Sequence, residues 1–227
     1  MLVNGRISSG VFIYKLILYS SNEPLQGFAM PEKSILLVDY KHRIIWLDGS
    51  ITPKMAFRFE KIMNKLNKIK IAPVILYIRG PGGNFWATIS MINDISNSPS
   101  PVGCVAHGCV ASGCFTLTQA GVWRAALPGT KFIFHSAEGF SRAFKKGIQQ
   151  TQKEISDWLE RLRLVDFLQF FWFSIRGRPV SMIQEMLKAN MVLSLPVAIK
   201  FHLIDKYFDK QDFIHDRALI KKIQKAK

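Results

Sequence analysis

The sequence predicts an α/β fold in which strand, glycine-rich turn and helix recur around a mostly parallel sheet. Two apolar runs, Ala72–Ile78 (APVILYI) and Val102–Ala106, do not alternate with polar residues, as expected of strands covered on both faces. Each run meets a glycine-rich turn, Arg79-Gly80-Pro81-Gly82-Gly83 in one case and Gly108–Gly113 in the other, and each turn leads into residues of helical period. The chain has 227 residues, 48% of them hydrophobic, which is the size and composition of one globular domain with its own core.

The first thirty residues carry little pattern. Ile35–Val38 and Arg43–Leu47 are β-branched runs joined by a polar turn and read as strands. Thr52 and Pro53 then open a helix, as N-cap and first helical residue, with Ala56, Phe59, Met63 and Leu66 on one face. After Ala72–Ile78 and its turn, a helix carrying Ile89, Ile92 and Ile95 ends before Pro99. The strand Val102–Ala106 leads to a helix at about Ser112–Ala120, and Lys131–Phe134 forms a further strand that closes on His135. Ile148, Ile155, Leu159, Leu162 and Val165 keep helical spacing through a long helix that turns aromatic at Phe170–Phe173 and stops near Gly177 and Pro179. A short helix over Met182–Leu187, a strand near Met191–Leu193 and a helix from Ser194 to Phe201 complete the domain.

Several classes are excluded along the way. Cys104, Cys109 and Cys114 cannot build a disulfide framework and lack a second ligand pair for a metal, so they read as small buried hydrophobes in a reducing compartment. No run is long and apolar enough to span a membrane, and Val11–Tyr19 is broken by Lys15 with no small-residue cleavage pattern after it. The formal charge of +15 invites a nucleic-acid reading. Its distribution argues against one. Lys54, Arg58, Lys61, Lys65, Lys68 and Lys70 all fall on one predicted helix, whereas Ile71–Phe140 holds only Arg79, Arg124 and Lys131 as cations. The last eleven residues form a basic tail.

In α/β sheets the reactive groups gather where parallel strands end, beside helix N-termini. Three such ends here carry Gly82-Gly83, Ser112 and His135. A serine among small residues at a helix start fits a nucleophile that needs an adjacent base. Acyl transfer also needs two N–H donors aimed at the developing oxyanion, each worth about 3–4 kcal/mol of barrier, and Gly83 and Gly113 stand where such donors would be. Taken singly, each residue has a plainer account: Ser112 as a helix cap, His135 as a hydrogen-bonded strand-end histidine, and the glycines as an ordinary turn. His107 is a rival base, but it lies inside the predicted run toward Ser112.

The ordered set is more specific. Arg43–Leu47, Leu76-Tyr77-Ile78 with Gly80-Pro81-Gly82-Gly83, Gly108-x-x-Ala111-Ser112, Ala120-Gly121, Leu127-Pro128 and Phe134-His135 resemble the proteolytic subunit of the Clp protease, ClpP. So do Leu193-Ser194-x-Pro196-x-Ala198 and Leu203-Ile204-Asp205. The resemblance implies a ClpP/crotonase-like spiral of ββα units with a parallel sheet and a protruding handle helix at about 141–176. It divides the chain into an N-terminal extension or axial segment (1–30), a peptidase domain (31–209) and the basic tail (210–227). It implies a serine endopeptidase acting through an acyl-enzyme on Ser112, with His135 as base and the amides of Gly83 and Gly113 as the oxyanion hole. Also implied are homo- or hetero-heptameric rings stacked as a tetradecamer in the cytoplasm or plastid stroma, fed unfolded proteins by an AAA+ ATPase. ATP would be used by that partner, and this chain would hold no cofactor or metal.

The sequence departs from the family pattern at several points. The third triad residue, normally Asp, corresponds to Asn190, which accepts from an imidazole but brings no charge. An Asp-to-Asn change in a serine triad lowers turnover by about 10⁴. Gly113 replaces a Met, Arg79-Gly80 replace Asn-Ser, and His202 replaces a Gly that would cap a helix. A catalytically weak or inactive ring subunit, ClpR-like, is therefore the alternative expectation. A crotonase-type acyl-CoA enzyme would share the fold but make no use of the Ser and His.

Overall fold

In the computed structural model the described residues are 34–134, 181–183, 186 and 191–208. The predicted N-terminal extension, the handle helix, the basic tail, His135 and Asn190 lie outside them. Among the described residues eight strands form one sheet. β1 (Ile35–Asp39) pairs antiparallel with β2 (Ile44–Asp48), and β2 runs parallel to β3 (Val74–Gly80). β3 runs parallel to β4 (Val102–Ala111), which runs parallel to β5 (Trp123–Ala126) and, further along, to β6 (Lys131–Phe134). β7 (Met191–Ser194) returns antiparallel on β6, and the short β8 (Lys206–Tyr207) adds to β5.

The sequence places the first helix correctly, for the reason it gives. α1 (Pro53–Ile69) has Thr52 as its N-cap, whose hydroxyl accepts from the Met55 N–H at 3.1 Å, with Pro53 at the first helical position. Phe59 and Leu66 are fully buried against the sheet, together with α2 (Phe85–Ser96) and α3 (Ser112–Thr118). The C-terminal end of α1 is held by an unforeseen clamp. Arg43, expected in a strand, sits instead in the β1–β2 turn at φ 59. Its guanidinium donates to the carbonyls of Leu66 and Ala72 and to the Ser100 hydroxyl, adding a second donor at Leu66 to the Lys70 N–H and tying the helix end to the chain that follows it.

β4 is where the structure corrects the sequence reading most. The expected strand ends at Ala106, but the chain stays extended to Ala111. Residues 103–106 pair with β5, whereas Cys109, Val110 and Ala111 pair with β6, and the register against β3 shifts between Ile78 and Gly80. Gly108, at φ 65, is the hinge between the two halves. One strand thus serves two neighbours on the same side, and the sheet steps outward from β5 to β6.

β5 and β8 carry no pattern long enough to read. Beside their short ladder, a half-buried ion pair ties the two segments together. The Arg124 guanidinium pairs with Asp205, donates to Gln119 at 2.8 Å, and Gln119 donates on to the Leu203 carbonyl. This network fixes the segment after α4 (Leu195–Lys200). α4 ends with His202 at φ 53, where the Leu203 N–H reaches back to the Ala198 carbonyl at 2.8 Å. The helix stop expected of a glycine is therefore kept, with histidine forced into the left-handed region. Among the described residues no helix is long and apolar enough to cross a membrane.

Candidate active site

Ser112 is not a helix cap. Ala111 occupies the cap position in extended geometry, no side chain caps the helix, and Ser112 follows as the first residue of α3 at φ 48. A non-glycine residue held there costs about 1–2 kcal/mol, so the surroundings must impose it. They do. A Cβ placed on Gly82 would lie 2.6 Å from the Gly113 nitrogen and 2.8 Å from the Ser112 Cβ, so the first glycine turn is pressed against the serine's own backbone. Only glycine fits at Gly82, which also sits at φ 97.

That turn is fixed from the other side by a backbone lattice. The Ile51 N–H donates to the Gly82 carbonyl at 2.7 Å, and the Asn84 N–H donates to the Ile51 carbonyl at 2.8 Å. These bonds skip the Gly83 N–H. Neither it nor the Gly113 N–H donates to any backbone carbonyl among the described residues. The two amides belong together: a Cβ on Gly113 would lie 3.6 Å from the Gly83 nitrogen. Gly83 is exposed, Ser112 is half-buried and Gly113 is buried, so the Gly83 residue and the serine are the accessible members of the group, with Gly113 behind them. Two uncommitted amides beside a hydroxyl are what an oxyanion site requires.

The structure explains two departures from the expected pattern. Thr88 is buried and its hydroxyl donates to the Asn84 carbonyl, which puts Oγ1 2.7 Å from where a Cβ on Gly113 would stand. A methionine at 113 has no room beside Thr88. Likewise a Cβ on Gly80 would fall 2.1 Å from the Gly49 carbonyl oxygen. Arg79 pairs with Asp48 across the β2–β3 register and lays its side chain against Gly108. Thr88 and the Asp48–Arg79 pair were not singled out from sequence. The G-G doublet pointed to Gly82, but Thr88 carries no local signal.

The rival groups are accounted for by burial. The Cys114 thiol is pushed up to about 12 and that of Cys109 to about 11 by desolvation, so neither supplies a thiolate at neutral pH. His107 stays in β4, its ring edge-on to Tyr77 with centroids 6.3 Å apart.

His135 and Asn190 fall outside the described residues, but the register on either side of them is defined. Ala111 stands opposite Ile133 in the β4–β6 pair, so the strand leading to Ser112 and the strand leading to His135 end side by side. Phe134 stands opposite Met191 in the antiparallel β6–β7 pair, the last pair of that ladder among the described residues.

The family model for Clp protease matches residues 30–211. Among curated proteins, the chain is 23% identical over 169 residues to the ATP-dependent Clp protease proteolytic subunit 6, chloroplastic, of Arabidopsis thaliana, covering 73% of this chain and 60% of that one. It is 25% identical to the proteolytic subunit-related protein 2, chloroplastic, of the same plant, covering 74% and 59%. The chain therefore spans about three fifths of the length of those two relatives. It also matches the proteolytic subunit of Oltmannsiellopsis viridis at 24% identity, covering 81% of this chain and 95% of that one. Among solved structures, a ClpP1 mutant from Listeria monocytogenes superposes with a TM-score of 0.67 at 19% identity, covering 76% of this chain and 95% of that one, a likeness of fold.

Proposed function

The chain belongs to the Clp protease family, and from that premise we propose that it is a serine endopeptidase subunit acting through an acyl-enzyme on Ser112. The observation that carries the reading is the strained, non-capping Ser112 beside the amides of Gly83 and Gly113, which donate to no backbone carbonyl among the described residues. The Ser112 hydroxyl attacks the scissile carbonyl and gives its proton to His135, while the carbonyl oxygen takes the negative charge between the two amides. Collapse breaks the C–N bond as His135 protonates the leaving amine. Water, deprotonated by His135, then releases the acyl group and restores the serine. Asn190, at the position that corresponds to the family's third triad residue, accepts from the other ring nitrogen of His135 and fixes the tautomer.

Assembly into homo- or hetero-heptameric rings stacked as a tetradecamer, dependence on an AAA+ Clp ATPase for unfolded substrates, and a place in the plastid follow from the same premise. The chloroplastic relatives support the last. A fluorophosphonate probe applied to the full-length protein is expected to label it, and Ser112→Ala is expected to remove the label. Equal labelling of both refutes the reading.

Asn190 favours a second reading, a ClpR-like ring subunit with little turnover of its own, and one relative is named a subunit-related protein. Such a chain co-assembles with an active subunit and is inert alone; robust peptidase activity in isolation excludes it.

A further inference from the structure

The outward face of α1 carries five cations at a regular spacing. Lys54, Arg58, Lys61, Lys65 and Lys68 follow one another at intervals of four and three residues, and all are exposed. At about 100° per residue they fall within an arc of roughly 80° and run for about 21 Å along the helix. Among the described residues none of them is in an ion pair, and Glu60 is the sole acid on the helix.

Apolar side chains flank this row. Phe57 and Ile69 lie roughly 60° to either side of its centre, and Ile71 follows directly after the helix. They are 57%, 58% and 63% exposed, three of the six large hydrophobics left in solvent among the described residues. The apolar stripe of α1 is already spent on the core through Met55, Phe59, Ile62, Met63 and Leu66, so these three are additional to it.

We propose that this ridge docks the protein on an anionic lipid bilayer. A row of four ammonium groups and the Arg58 guanidinium, which also donates to the Leu36 carbonyl, bordered by apolar side chains suits a flat, negatively charged interface into which the apolar groups dip. The ridge is convex, and a deformable bilayer needs no matching groove. Single-stranded nucleic acid fits less well. It calls for open aromatic faces on which bases stack, whereas the only aromatic ring of the three, Phe57, already has the Lys61 ammonium 4.2 Å from its centre. The remaining two are aliphatic. This inference is independent of the chemistry at Ser112.

The test is co-sedimentation of the full-length protein with phosphatidylcholine vesicles, with and without phosphatidylglycerol. Binding is expected only with the anionic lipid and is expected to weaken as salt rises. Neutralising three cations together (Lys61→Gln, Lys65→Gln, Lys68→Gln) is expected to weaken it by roughly 100-fold, about fivefold for each. Phe57→Ser is expected to weaken it further without changing the salt dependence. A control with three exposed cations neutralised elsewhere (Lys41→Gln, Lys200→Gln, Lys206→Gln) is expected to bind as wild type does. Melting curves confirm that each variant folds. If the triple variant does not, Lys54→Gln with Lys68→Gln at the two ends of the row carries the test, with a loss of roughly 25-fold. Equal binding to neutral vesicles, equal loss in the control, or retention by single-stranded RNA or polyglutamate with none by anionic vesicles each overturns the proposal.

Discussion

The two glycine turns that look alike in the sequence do different work. In the turn after β3, substitution at Gly80, Gly82 or Gly83 would drive a Cβ within 2.6 Å of neighbouring backbone, at Gly49, Gly113 and Ile51 respectively. That turn is a wall, fixed by what presses on it. In the second segment, which is the bulged end of β4, the nearest atom to a Cβ on Gly108 is the Arg79 Cδ at 3.1 Å, the far part of a flexible side chain. The strain there is carried by Ser112 itself. One segment thus supplies rigidity and an amide, while the other holds a hydroxyl in a conformation it would not choose. Strain of this kind at a non-glycine residue persists where surroundings over-determine it, commonly at functional sites.

Variants can break or sharpen this contrast. The largest effect is expected from Ser112→Ala, which should lower peptidase turnover by at least about 10⁴-fold while leaving the melting temperature close to wild type. Asn190→Asp is expected to raise turnover by up to about 10⁴ if the lost charge is what limits the site. No gain, in a variant that still assembles, favours the structural-subunit reading. Gly82→Ala should move the wall into the Gly113 amide, and is expected to lower the rate of phosphonate labelling by about 100-fold, the effect of losing one oxyanion donor. Gly108→Ala tests the other segment. Its cost is expected to be about 1 kcal/mol of stability, that of an alanine in the left-handed region, with labelling retained. If Gly108→Ala instead abolishes labelling as Gly82→Ala does, the division of labour between the two segments is wrong. The smallest effect is expected from His202→Gly, which should stabilise the domain by about 0.5–1 kcal/mol in chemical denaturation, by relieving the strained helix stop.

Much of the fold was legible because its signals are local. Thr52-Pro53 announces α1, and the unalternating Ala72–Ile78 announces a buried parallel strand, although that strand is observed as Val74–Gly80. The reach of β4 to Ala111 was not legible, because Gly108 reads as a turn residue and only pairing with β6 reveals it as a bulge. β5 and β8 are too short to show a period, and Arg124 meets Asp205 across more than eighty residues that hold no hint of the partnership. At the candidate site, Gly83, Ser112 and Gly113 could be picked out because type and order mattered. What the sequence could not supply was the packing of Thr88 into the space of a missing side chain, nor the fact that Ala111 and not Ser112 caps α3.

The most direct measurement of the central claim is a crystal structure of the full-length protein after reaction with a peptidyl phosphonate. The account predicts a covalent bond to the Ser112 Oγ, with a phosphonyl oxygen about 2.7–3.1 Å from the nitrogens of both Gly83 and Gly113. An adduct on another residue, or a phosphonyl oxygen turned to solvent away from both amides, would contradict it.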